Sequence, residues 1–214
     1  MAGTSAAQKI TKGTRTRQFI KDTVLEMYRQ PKTKSVTLDR ILKATDLTVG
    51  AFYFHFKSKD ELLEEIAIDC CNDYHAEIVD RVAWDAGFFQ IANDIIGSSY
   101  QTYIDNPSFT KMMYAVVYKS PKAYAGWRKS RKILRQRIED AITSATQGRR
   151  KVDLDPTFTS YWLLSSLEDF LFSVFMAQGS QKLRQIASSK EAFVDQQAIL
   201  WYRSVMGEDP SAIT

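Results

Sequence analysis

Residues 36–62 read VTLDRILKATDLTVGAFYFHFKSKDEL, and the fold turns on this stretch. Thr37 can cap a helix whose apolar face is Leu38, Ile41 and Leu42. Thr45 and Asp46 are poor helix formers, and Asp46 tolerates the left-handed backbone of a tight turn. Leu47 returns the chain to the core. Thr48 can cap a second helix by reaching the free N–H of Gly50 or Ala51. On that helix Phe52 and Phe56, four residues apart, point inward. Val49, Gly50, Ala51, Tyr53 and His55 point outward. Ser58-Lys59-Asp60-Glu61 is a capping box that opens a third helix.

Two short helices joined by a three- or four-residue turn form the helix-turn-helix of DNA-binding proteins. The charge distribution agrees. Residues 1–62 carry 12 Lys/Arg against 6 Asp/Glu, while the remainder carries 17 against 19, so the net +4 is concentrated in the segment that holds the motif. A basic face of that kind suits phosphate binding. Val49 and Ala51 can touch thymine methyls but cannot form bidentate bonds to a purine. Direct readout from this helix is therefore sparse. Arg40, Lys43, an N-terminal arm or DNA shape is expected to carry part of the specificity.

Ala51-Phe52-Tyr53-Phe54-His55-Phe56-Lys57-Ser58-Lys59-Asp60-Glu61-Leu62 resembles the signature of the tetracycline-repressor-like (TetR) family of transcriptional regulators, and the likeness covers roughly residues 15–65. Leu42, Thr45 and Asp46 stand where the family usually has Ala, Ala and Gly, and Gln30-Pro31-Lys32 replaces a common Gly-Tyr. The resemblance implies phosphate contacts from Tyr53, His55 and Lys59. Thr37 and Thr48 can add hydrogen bonds from helix starts, and Phe54 belongs to the same surface. It also implies a second domain that binds an inducer, and a homodimer built on the last two long helices. It implies cytoplasmic action on double-stranded operator DNA.

Outward from the motif, the chain reads as all-α, with about nine helices. Residues 1–14 are expected to be a flexible polar segment, either an inert tail or a basic arm for a minor groove. Residues 15–60 form the helix-turn-helix domain and 61–214 the ligand-binding and dimerisation domain. Helix 1 is Arg15 to Gln30, with Phe19, Ile20, Val24, Met27 and Tyr28 as its core stripe. A long helix from Ser58 to about Val82 buries Leu62, Leu63, Ile66, Cys70 and Tyr74 and links the two domains. Gly87–Asp105 and Phe109–Lys119 follow. Ser120-Pro121 and Asp155-Pro156 are cap-and-proline starts for helices reaching Thr146 and Gln178. Gly179 closes the latter, and Ser188-x-x-Glu191 is a capping box for the last helix.

Tyr100, Tyr103, Met112, Met113, Tyr114, Trp127, Leu164, Glu168 and Phe172 are the candidate lining of a pocket for a small apolar or aromatic effector, since such side chains combine apolar area with polar tips. The segment 157–178 is apolar almost all round and needs cover on two sides. Phe158, Tyr161, Trp162, Phe193, Leu200 and Trp201 are the candidate dimer seam. Glu168-Asp169 interrupts this apolar run and could face the pocket, a cation across the dimer or solvent.

Cys70 and Cys71 are adjacent, which excludes a disulfide framework and fits reduced thiols. No metal site, cofactor or catalytic residue is expected, and no run approaches the ~18 apolar residues of a membrane span. A helical enzyme is the first rival reading, but it lacks a metal cluster, a glycine-rich phosphate loop and a nucleophile elbow. A ligand carrier of the same fold, without an operator function, is the second.

Overall fold

The computed structural model describes residues 12–30, 36–147, 154–176 and 181–210. The regular structure among these residues is all helical, with no strand. The order is α1 Lys12–Arg29, α2 Leu38–Thr45, α3 Val49–His55, α4 Lys59–Arg81, α5 Phe88–Asp105, α6 Pro107–Lys119, α7 Pro121–Thr146, α8 Pro156–Phe175, α9 Gln181–Ile186 and α10 Lys190–Met206.

Most helix starts lie where short-range capping chemistry puts them. The side chains of Thr37, Thr48, Ser58, Ser120 and Asp155 each accept a backbone N–H from the first turn of the following helix. The last helix departs by one residue. Ser189, not Ser188, is its cap and accepts from the Ala192 N–H at 3.2 Å. Helix α6 starts at Pro107, because proline is tolerated at a first helical position where no N–H is needed. Helix α1 already runs from Lys12, so Lys12 to Thr14 belong to it rather than to the expected arm. The rest of the arm, the Pro31 stop and the Gly179 stop lie outside the described residues. The helix beyond the expected nine is α9, a short polar segment that no apolar periodicity announces.

Two large hydrophobic centres form, beside a small third cluster of Ala67, Cys71, Val117 and Ala123. In the head, Ile20, Val24, Val36, Ile41, Phe52, Phe56, Leu62, Leu63 and Ile66 pack together, and Met112 from α6 joins them. In the body, α5, α7, α8 and α10 enclose Ile95, Ile96, Leu134, Ile138, Leu163, Leu167, Leu171, Phe193 and Trp201. The boundary expected at residue 60 is thus not a break, since the first two turns of α4 belong to the head core. Farther along α4 the buried residues are Ala67, Cys71, His75 and Ile78, while Cys70 and Tyr74 are only half-buried. At least four helices, α1, α5, α6 and α7, contact α4. Its burial therefore does not follow one stripe.

Burial pushes the Cys70 and Cys71 thiols from 9.0 up to about 12, with Asp73 and Asp69 adding to the effect at Cys70. The unfolded chain releases these protons first, so the stabilising contribution is whole below pH 9 and is lost as the pH climbs toward 12. Urea midpoints should therefore fall above pH 9, and fall less steeply in a Cys70→Ala/Cys71→Ala variant. Equal slopes in the two proteins would remove the thiols from the account.

Candidate nucleic-acid interface

The turn between α2 and α3 is made by one residue. Asp46 has φ 52° and ψ 36°, the only positive φ at a non-glycine among the described residues. Asp is one of the few side chains that accept this conformation readily. The Leu47 N–H donates to the Leu42 carbonyl at 3.2 Å. The buried Thr45 hydroxyl donates to the Ile41 carbonyl at 2.8 Å. Together these bonds satisfy the end of α2 and aim α3.

Helix α3 is short, so its orientation depends on anchors. Phe52 and Phe56 are buried in the head core. The Thr48 hydroxyl oxygen accepts the Ala51 N–H at 3.2 Å. At its other end the His55 carbonyl accepts a hydrogen bond from Arg17 Nη1. That guanidinium also lies 4.0 Å over the Phe56 ring and pairs with Glu65 on α4. Lys21 pairs with Asp69 one turn farther along. Helix α1 therefore ties α3 to α4. Sequence reading did not single out Arg17 or Lys21; both partners lie more than forty residues away.

The face left outward carries Val49 (54% exposed), Gly50, Tyr53 (50%) and Phe54 (82%), with Ala51 and His55 half-buried at its edge. The His55 ring meets Phe54 edge-on at 5.1 Å. Thr37 and Thr48 are exposed at the two helix starts, Lys43 is exposed on α2, and Arg40 is half-buried beside it. Lys59 is differently occupied. Its ammonium donates to the Val36 carbonyl at 3.1 Å, pinning the start of α4 to the segment before α2. The Glu61 carboxylate reaches back to the Lys57 N–H, one residue beyond the usual capping-box partner.

Residues 33–66 match the family described as bacterial regulatory proteins, tetR family. The chain carries a TetR-family regulatory domain. A curated relative, the HTH-type transcriptional regulator AcrR of Shigella flexneri, is 45% identical over 51 residues. The alignment spans about a quarter of either chain (24%). The likeness of fold reaches beyond the TetR-family domain. GusR of Salmonella enterica superposes with a TM-score of 0.65 at 15% identity, over 94% of this chain and 100% of that one. FadR of Bacillus subtilis, solved in complex with stearoyl-CoA, gives 0.62 at 13% identity, over 84% and 98%.

The body places the candidate effector residues in two groups. Tyr103, Met113, Tyr114, Trp127 and Glu168 line one cavity of about 30 Å³, together with Cys70, Cys71, Tyr74 and His75. Phe172 packs behind Tyr114 at 4.8 Å between ring centres. The other three lie elsewhere. Tyr100 donates to the Ala187 carbonyl at 2.7 Å, Met112 fills the head core, and Leu164 is buried in the body core. Glu168 is drawn inward by Arg131, whose Nη1 lies 3.3 Å from its carboxylate.

The seam residues divide as well. Phe158, Tyr161, Trp162 and Leu200 are exposed. Phe193 and Trp201 are buried in the body core and present no outer surface, which removes them from a dimer seam. Phe193 meets the ring of Tyr100 on α5 and that of Phe170 on α8. Among the described residues no group of three His, Cys, Asp or Glu could hold a metal ion, and no helix is long and apolar enough to cross a membrane.

Proposed function

We propose that the protein is a sequence-specific DNA-binding transcriptional regulator, a repressor that leaves a palindromic operator when a small effector enters the body. The observation that carries this reading is the outward face of α3. A helix of seven residues is held at both ends and from below, and its free face offers a glycine, small apolar groups, a phenol and an imidazole. Close backbone approach and phosphate hydrogen bonds follow from such a surface. The matched TetR-family segment covers this helix. Thr37, Lys43, Thr48, Tyr53 and His55 are the proposed phosphate contacts, with Val49, Gly50, Ala51 and Phe54 against the bases. Lys59 acts mainly as a strut, through its bond to Val36.

The exposed Phe158, Tyr161, Trp162 and Leu200 form the proposed seam of a homodimer. Two heads then read successive major grooves ~34 Å apart. FadR holds an acyl-CoA in a similar fold, which supports an effector site in the body here. Helix α4 couples the two, since Leu62, Leu63 and Ile66 pack in the head while Cys71 and His75 border the cavity. An effector that binds one arrangement of α4 better than the other shifts the head spacing.

Gel-shift assays on a palindromic fragment from beside the protein's own gene test this reading. Affinity should drop steeply with salt, by ~10³-fold or more between 50 and 200 mM if six or more phosphates are engaged. Absence of binding at low salt would instead favour a carrier of the same fold, a reading to which the apolar character of Val49, Ala51 and Phe54 lends some weight.

A further inference from the structure

A hydrogen-bond imbalance lies where α4, α7 and α8 meet. His75 is 2% exposed. Its Nδ1 lies 2.8 Å from the Cys71 carbonyl oxygen and 2.9 Å from Ser130 Oγ. A carbonyl can only accept. The Ser130 hydroxyl gives its one hydrogen to the Trp127 carbonyl at 2.8 Å, so toward His75 its oxygen also accepts. Nδ1 therefore carries the ring proton, and in the neutral imidazole Nε2 is a bare acceptor. What it faces is another acceptor. Glu168 Oε1 stands 3.9 Å away, beyond hydrogen-bond reach. Nε2 has no hydrogen-bond partner among the described residues. The neighbouring tyrosines do not reach it: the Tyr74 hydroxyl donates to Ser99, and the Tyr103 and Tyr114 hydroxyls meet each other rather than Nε2.

Two acceptors separated by 3.9 Å are joined by a donor placed between them. His75 and Glu168 both border the cavity of about 30 Å³, whose other walls include Tyr103, Met113, Tyr114 and Trp127. That volume suits a single water. A larger guest needs one wall to yield, and Trp127 is placed to do so. It also lines an open groove of about 640 Å³ on the other side, where the Arg131 guanidinium stacks over its ring at 4.4 Å. The indole is thus a partition between a closed aromatic chamber and open space.

We infer that the effector is a planar aromatic molecule bearing a hydroxyl or amino donor, seated with that donor between His75 Nε2 and the Glu168 carboxylate while Trp127 swings toward the groove. The inference rests on the regulatory reading above and names the ligand class of its effector site. The ring stacks among Tyr103, Tyr114 and the displaced indole. The donor meets the two acceptors that the protein itself leaves facing each other.

2-Naphthol, 2-methoxynaphthalene and naphthalene share a ring body and differ in the donor. Each is titrated into the full chain and followed by tryptophan fluorescence, and separately by release of operator DNA. 2-Naphthol should bind at least ~10-fold more tightly than either analogue, as one hydrogen bond to a charged acceptor allows. In Glu168→Gln the side-chain amide can donate to Nε2 itself, so the preference should shrink to ~2-fold or less, with the thermal midpoint recorded to show that the variant folds. Glu168→Leu removes the charged acceptor, should also lower the preference, and serves if the first variant does not fold. Equal binding of the three probes overturns the inference. So does capture of 2-naphthoate in preference to 2-naphthol, which would assign recognition to Arg131. So does failure of every probe while operator binding holds, which would reduce the chamber to a site for one bound water. Loss of operator binding by the untreated protein would sink the regulatory reading, and the fluorescence titration would still decide the ligand class.

Discussion

Gly50→Glu should abolish operator binding and leave the protein at least as stable as it is now. Gly50 is the second residue of α3, and a Cβ built on it meets nothing within 4 Å. Its φ is not in the left-handed region, so an L side chain fits the backbone without strain. Removing a glycine from a helix recovers up to ~1 kcal/mol. A carboxylate in the first turn adds ~0.3–1 kcal/mol through the helix dipole. The thermal midpoint should stay level or rise. Against a duplex the same carboxylate is placed on the face proposed to approach base edges and phosphates, and the proposed dimer carries it twice. Affinity should fall by ~100-fold or more, which is ~2.7 kcal/mol.

The opposite signs of the two effects make this substitution informative. A variant that merely unfolded would lose binding and midpoint together. Gly50→Ala serves as the control, since it makes the same helix correction without the charge. A Gly50→Glu protein that melts normally and still shifts the operator fragment at unchanged concentration would show that α3 does not lie against DNA.

What could be read in advance about this surface was local. Thr37, Thr48 and Ser58 lie three residues before the N–H groups they receive. Asp46 declares its turn by its own conformational tolerance. Phe52 and Phe56 share a face by helical periodicity. The misses have a common origin in distance along the chain. Arg17 reaches Glu65 and the His55 carbonyl, and no spacing rule links such positions. Phe193 and Trp201 were legible as apolar, but an apolar pattern does not say which neighbour covers it. Here the body core takes both, and they leave the outer surface. Glu168 is the reverse case. Its charge within an apolar helix stood out, yet Arg131 and His75, which explain it, are supplied by two other helices. Helix α9 carries no apolar stripe to announce it, since six residues hold only Leu183 and Ile186 as apolar positions.

Gly126→Ala tests the joint between cavity and head by a contact that periodicity could not show. Gly126 lies in α7, against α4. A Cβ there would stand 2.7 Å from Cγ1 of Ile68 and 3.2 Å from both its Cγ2 and Cδ1. Taken alone, alanine in a helix is favoured over glycine by ~1 kcal/mol. The clash opposes that gain. Ile68 is β-branched and stiff at χ1, and three of its carbons are too close, so no single rotation clears the space. Overpacking of this kind costs ~1–3 kcal/mol. The thermal midpoint should drop by a few degrees, at ~2–4 °C per kcal/mol for a chain of this size. Because α7 must ease away from α4, and α4 packs into the head through Leu62 and Ile66, operator affinity should weaken at temperatures where the variant is still folded. The sign then reverses in an Ile68→Ala background. With the isoleucine carbons gone, Gly126→Ala should stabilise by up to ~1 kcal/mol, leaving only the helix preference. Thermal melts of the four proteins decide the matter. If Gly126→Ala shifts the midpoint in the same direction in both backgrounds, the close approach of α4 and α7 at Ile68 does not set the spacing of the joint.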